Sequence, residues 1–191
     1  MHTIQEIIEQ IMRLEKELTQ AIQKKETEFY YHIKGKTVNF EEGNRKYHKT
    51  IITTIHKYIW NASLLNILTV PVIWFGLVPA VFLDLVASVY QLICFPIYNI
   101  PKVKRTDYII IDRHALGYLN AIEKLNCIYC GYFNGLITYV QEIVARTEQY
   151  WCPIKHARKI KTLHSRYHKF FEYGDAVNYR ENIEKVRRDF S

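Results

Sequence analysis

Ile4, Ile7, Ile11, Leu14, Leu18 and Ala21 recur at alternating spacings of three and four residues, with Ile8 and Ile22 beside them. Glu6, Glu9, Glu15, Lys16, Glu17 and Lys24 fill the remaining faces. This periodicity predicts an amphipathic helix, N-capped by Thr3, whose apolar stripe packs on a second copy or on the chain's own helices. The pattern stops at Lys34-Gly35-Lys36-Thr37-Val38. From about Asn39 a second helix is expected to run through Tyr47 and Ile51 into the apolar stretch beyond.

Between Ile59 and Pro101 the polar half of the pattern disappears. These 43 residues hold no Lys or Arg and one acid, Asp84. A helical span needs about 20 apolar residues to cross a hydrocarbon core of about 30 Å, so the stretch accommodates two spans, near 59–76 and 79–99. Phe75-Gly76-Leu77-Val78-Pro79 offers the reversal, because Gly and Pro interrupt helices and Pro79 can begin one. Tyr58, Trp60, Trp74, Phe75 and Tyr98 mark the ends as interfacial rings would. Asp84 falls about one turn inside the second span, at the interface or facing the first helix. A hairpin dipping into one leaflet and a buried hairpin of a soluble helical domain are the alternatives. Asn66, Asp84, Ser88 and Gln91 are too few to give the latter a polar face.

Helical spacing returns at Leu116, Leu119, Ile122, Leu125, Ile128 and Tyr129, and again at Leu136, Tyr139, Val140, Ile143 and Val144. Gly131 and Gly135 bracket a break in it. Two antiparallel helices are therefore expected, near 112–130 and 136–151, with Pro153 ending the second. A last amphipathic helix starts after a capping Asp175 and carries Val177, Ile183, Val186 and Phe190. The predicted fold class is all-α: an integral membrane helical hairpin of two short spans, with an N-terminal amphipathic helix and a C-terminal cytoplasmic helical bundle. Its parts are 1–58, 59–101 and 102–191.

Charge sets the expected sidedness. Of 26 Lys+Arg, ten precede the apolar stretch and sixteen come after it, against eight and ten acids, for a net of +7 overall. Basic flanks, Arg45, Lys46, Lys49 and Lys57 before and Lys102, Lys104 and Arg105 after, place both ends of the hairpin, and both termini, in the cytoplasm. The charged, helix-forming start predicts no signal peptide. Three of the four cysteines lie outside the apolar stretch, which suits a reducing compartment.

The candidate chemistry is concentrated in 112–156. Cys127 and Cys130 have metal-ligand spacing, and Cys152-Pro-Ile-Lys-His156 adds a thiol and an imidazole, the ligand types of zinc or iron. A helix of about 15 residues carries Cys152 about 22 Å from the pair. The antiparallel hairpin would instead bring Asp112 and His114 to Cys152 and His156, with a Glu123–Arg146 or Glu142–Lys124 charge network in support. Thiol redox chemistry is disfavoured, because a helix C-terminus opposes the thiolate. A third reading makes the cysteines small packing residues.

Residues 155–169 hold six Lys/Arg, three His and no acid, with His164 and His168 one helical turn apart. Lys155, Arg158, Lys159 and Lys161, beside Lys102, Lys104 and Arg105, are expected to meet anionic lipid head groups. No nucleic-acid motif is present, so lipid is favoured. Gly35-Lys36-Thr37 lacks the first glycine of a phosphate loop, and Asn61-Ala62-Ser63 is a formal sequon at a cytoplasmic position. No GxSxG or HExxH occurs. Three functions stay open: a membrane protein with a Cys/His metal or redox centre, a non-enzymatic membrane adaptor that binds anionic lipid and self-associates, and a lipid-acting enzyme using the Asp/His/Glu/Cys cluster.

Overall fold

The structure, a computed structural model, describes residues 4–35 and 37–190; the side chains of Ile4, Gln5 and Ile7 are not described. Thr3, Lys36 and the first two members of the N-terminal stripe thus lie outside the described side chains. The chain is mostly helical. It divides into two units, one drawn from Met1–Asn61 and Asp112–Ile128, the other from Ala62–Ile111 and Tyr129–Ser191.

In the first unit, helix α1 spans Ile4–Glu28 over 25 residues, as the heptads predict. Its stripe is uncovered: Ile11, Leu14, Leu18 and Ile22 are all exposed. The chain then forms a hairpin that the helical reading missed. Strands β1, Tyr31–Lys34, and β2, Thr37–Phe40, pair antiparallel, with Lys34 opposite Thr37. Gly35, after β1, has φ +63°, a left-handed conformation that glycine adopts without steric cost.

Helix α2, Glu42–Thr50, comes after β2 and stops before Ile51. A separate short helix α3, Ile55–Trp60, is next, so no single helix runs from Asn39 into the apolar stretch. His48 of α2 makes edge contacts with Phe40 and Tyr118, both at 5.1 Å between ring centroids. A Cβ on Gly117 would sit 3.2 Å from the His48 Cβ, so the 112–120 segment passes this ring closely.

The second unit opens with α4, Leu64–Phe75, and α5, Leu77–Tyr98. The expected reversal is absent from the backbone. Gly76 keeps a right-handed helical conformation, φ −57° and ψ −20°, and its N–H donates to the Ile73 carbonyl at 3.1 Å. Leu64–Tyr98 is therefore one apolar run of 35 residues, long and apolar enough to cross a membrane. Pro79 lies in the first turn of α5, where a missing N–H costs little. The Ile73 carbonyl also accepts from Tyr129 Oη at 2.8 Å.

After Asn99 closes α5 in a left-handed conformation, φ 55°, the chain returns along the helix as an extended strap. Val103 meets Gln91 and Arg105 meets Asp84, so the strap runs antiparallel to α5. Helix α6, Ala121–Trp151, is 31 residues long and continuous. This corrects the two-helix reading: Gly131 and Gly135 are helical, and both are buried. Asn120 caps it reciprocally, its Oδ1 accepting from Glu123 N at 3.0 Å while Glu123 Oε2 accepts from Asn120 N at 2.8 Å. Residues 129–151 run parallel to α5, with Tyr90 against Thr147 and Tyr98 stacked on Tyr150. The core of this unit is Ala80, Ala87, Phe95, Ile100, Val103, Leu136, Tyr139 and Ile143.

Helix α6 stops at Trp151, two residues before Pro153. The chain from Cys152 to Arg166 is irregular, stitched by a bridge between Ile154 and Phe171, so the basic stretch is not a helix. Helix α7, Ala176–Val186, starts as predicted, with the Asp175 carboxylate accepting from Asn178 N at 3.2 Å.

Candidate functional site

The residues singled out as metal ligands are not brought together. Cys130 and Cys152 lie on and just past the same continuous helix, 22 residues apart, which at about 1.5 Å per residue separates them by about 33 Å. Both thiols are exposed and none of the four cysteines is bridged. Asp112 lines a cleft of the first unit with Arg113, Ile33 and Phe40, and His114 is exposed. His156 stacks on Tyr167. Among the described residues no group of three or more His, Cys, Asp or Glu is placed to hold a metal ion.

The expected charge networks are replaced. Glu123 is the cap of α6, and residues 23 apart on one helix, Glu123 and Arg146, cannot pair. Glu142 pairs with Arg146 one turn along, Nε to Oε1 at 2.8 Å, and with Arg166 from the irregular segment at 3.2 Å. Ser165 donates to the second carboxylate oxygen at 2.7 Å. Burial pushes the Glu142 carboxyl up, but hydrogen bonds from Ser165 and Arg146 and the two guanidinium charges outweigh it, leaving it below the ordinary carboxyl value.

Every end of this cluster ties down another segment. Arg146 Nη1 donates to the Pro101 carbonyl at 2.6 Å. Arg166 Nη1 donates to Gln149 Oε1 at 3.0 Å, and Gln149 Nε2 donates to the Val186 and Asp189 carbonyls at 2.9 and 2.5 Å. The cluster is a clamp that holds strap and C-terminal segment on α6.

Two further polar contacts join α5 to its neighbours. Asp84 does not face α4. It accepts from Arg105 Nη2 at 2.7 Å, from Tyr132 Oη at 3.0 Å and from Ser88 Oγ at 3.3 Å. The buried Gln91 amide pairs with both backbone groups of Val103, accepting from its N–H at 2.9 Å and donating to its carbonyl at 3.4 Å. It also donates to Tyr139 Oη. The amide thus substitutes for a strand partner, satisfying the strap's backbone inside the packing.

His164 and His168 do not share a helical face. His164 Nε2 lies 3.2 Å from a Glu148 carboxylate oxygen, between Tyr167 and Phe170, whereas His168 is exposed on a 3₁₀ turn. Burial holds the His164 imidazole below its ordinary pKa despite the attraction of Glu148 and Glu142. Of the residues assigned to lipid, Lys155 pairs with Glu172 and Arg105 with Asp84. Lys102, Lys104, Arg158, Lys159 and Lys161 are exposed.

The surface of α5 sorts its side chains in the opposite sense to a soluble helix. Ala80, Ala87, Gln91 and Phe95 are buried, and Asp84 and Ser88 lie on the same side. Val78, Val81, Phe82, Leu85, Val86, Val89, Leu92, Ile93 and Ile97 face outward, Phe82 with 67% of its surface exposed. Helix α4 is exposed all round except at Trp74. A contiguous apolar surface of this kind marks contact with lipid or with another protein.

The first unit holds a feature that sequence reasoning missed. Phe29, Tyr30, Tyr31, Phe40, Tyr47 and Tyr118 wall an open cavity of about 690 Å³. His48 is on its lining, and its Nδ1 is buried without a hydrogen-bond partner among the described residues. The density of aromatic residues between 29 and 47 was the available signal. Comparison of the chain with protein families, curated proteins and solved structures returns no match.

Proposed function

We propose that this protein is a non-enzymatic membrane adaptor. In this reading the second unit attaches the chain to lipid, and α1 offers a docking stripe to a second copy. The observation that carries the first half is the sorting on α5: small and polar side chains with Phe95 inside, the other large apolar ones outside. In water such a surface would be costly, at about 25 cal/mol per Å² of apolar area left exposed. In lipid it is the expected arrangement, with Asp84 turned to partners inside the protein.

The docking half rests on α1. Leu18 is 61% exposed in a stripe of Ile and Leu, Ile11 to Ile22, left exposed among the described residues. The helix holds six Glu against four Lys/Arg, a net of −2, which disfavours an anionic bilayer as its partner. A second α1 supplies the matching stripe without that penalty. Arg158, Lys159 and Lys161, exposed on the segment after α6, supply an anionic-lipid contact.

Flotation with phosphatidylcholine vesicles, with and without phosphatidylserine, tests the attachment. The full chain is expected to float with both, more completely with phosphatidylserine, and to resist salt that strips electrostatically bound proteins. Phe82→Glu with Val89→Glu should release it, and Arg158→Gln with Lys159→Gln and Lys161→Gln should abolish only the phosphatidylserine increment. A native chain left at the bottom of the gradient overturns the reading. Leu14→Ser with Leu18→Ser should lower the cross-linked dimer without affecting flotation.

A further inference from the structure

The strap and α6 flank α5 along most of its length, and that determines how the helix can meet a bilayer. We infer that α5 lies in the plane of one leaflet, outer face down, rather than crossing the membrane; this rests on the membrane attachment proposed above. The midpoint of α5 falls near residue 87, and the groups packed beside that midpoint are charged. Arg105 pairs with Asp84 at 2.7 Å and is itself 48% exposed. On the α6 side, Arg146 and Glu142 form the buried clamp with Arg166 nearer the C-terminal end of α5, where Arg146 also donates to the Pro101 carbonyl.

A crossing α5 would carry the Asp84–Arg105 pair toward the middle of the hydrocarbon. Each charge there costs about 2.5–3.5 kcal/mol even on the lenient insertion scale. Lying flat removes the conflict. At about 100° per residue, the outward residues between Val78 and Ile97 form one uncharged stripe on a single side of the helix, about 28 Å long. The polar layer then sits above it, in the head groups and water.

The geometry of α4 agrees. It continues the run of α5 and is exposed along its length except at Trp74. With apolar side chains on all sides, it suits immersion in the same leaflet. The combined run of 35 residues, about 52 Å long, exceeds a hydrocarbon thickness of about 30 Å, a mismatch that lying in the plane removes.

Depth-dependent quenching tests this. Single tryptophans are placed at Val78, Leu85 or Leu92 in a Trp60→Phe, Trp74→Phe, Trp151→Phe background. Vesicles are phosphatidylcholine and phosphatidylserine, three to one, with bromine at different acyl depths. An in-plane helix gives one shallow depth for all three positions, agreeing within a few ångströms. A crossing helix spreads them by about 1.5 Å per residue, about 21 Å from 78 to 92, and overturns the inference while leaving membrane attachment intact.

Absence of quenching at all three, with the chain still floating, means a second copy or another protein covers the face, and also overturns it. Failure to float defeats the attachment itself. The native sequence with a tag at each end gives a second measurement: in sealed inverted vesicles both tags should share one protease sensitivity. Protection of one tag only would show a crossing.

Discussion

A Cβ added to Gly135 would lie 2.7 Å from the Cα of Ile109 and 2.7 Å from the carbonyl oxygen of Tyr108. Here the strap passes across α6 with backbone against backbone, and no rotamer change can make room. Gly135→Ala is therefore expected to cost about 1–3 kcal/mol, as overpacking does. Chemical unfolding in detergent measures it. Gly43→Ala, in α2 with nothing within 4 Å of an added Cβ, is the control and should stabilise by up to about 1 kcal/mol. Equal effects at both sites would contradict the close crossing.

Glu142 should behave as the keystone of the clamp. Removing its charge leaves Arg146 and Arg166, with only 16% and 11% of their side chains exposed, facing each other uncompensated. Glu142→Gln is expected to destabilise by about 3–5 kcal/mol. Charge-neutralising Arg166→Gln alone should cost less, because Arg146 still pairs with the carboxylate. A denaturation midpoint unmoved by Glu142→Gln would refute this.

The same group sets an acid limit. Its carboxyl is held below the ordinary value when folded, so the unfolded chain binds the proton more tightly. The stabilisation is fully present above the unfolded value of about 4.3 and is lost as pH falls through the lower folded value. In Glu142→Gln this part of the acid dependence should vanish from a plot of stability against pH.

His164 contributes at higher pH with the same sign. Its folded imidazole has a lowered pKa, so the unfolded chain takes up the proton first. Stability is unaffected well above the unfolded value of about 6.5 and declines as pH drops below it, levelling off once the folded ring also protonates. His164→Gln should flatten that segment. A profile in which stability rises on acidification through this range would show the ring to be charged in the folded state.

The cysteines provide a test of α6 as one rod. A disulfide needs Cα atoms within about 7 Å, and Cys130 and Cys152 are separated by a helical length of about 33 Å. Mild oxidation is expected to produce no Cys130–Cys152 bridge within a monomer, read by peptide mapping without reductant. Finding one would show that the helix does not persist as a rod between the two positions.

Some of this architecture is written locally in the residues. The stripe from Ile11 to Ile22, the uncharged run from Ile59 to Pro101, the stop before Pro153 and the Asp175 cap each depend on a few neighbours in sequence, and each has its counterpart in the fold. The β-hairpin was legible only in part. Tyr31 and Ile33 alternate, as do Val38 and Phe40, but four-residue strands are too short for the period to stand out.

The rest was settled by packing. Glycine permits a break in a helix without requiring one: Gly76 and Gly131 stay helical, and Gly135 is small because the strap crosses there, a contact from 26 positions earlier in the chain. Once α6 is continuous, Glu142 turns to Arg166 rather than to Lys124. Local periodicity was enough to mark most of the helical segments and the long apolar run. It could not name the partners, because which side chains meet depends on backbone paths that no local period encodes.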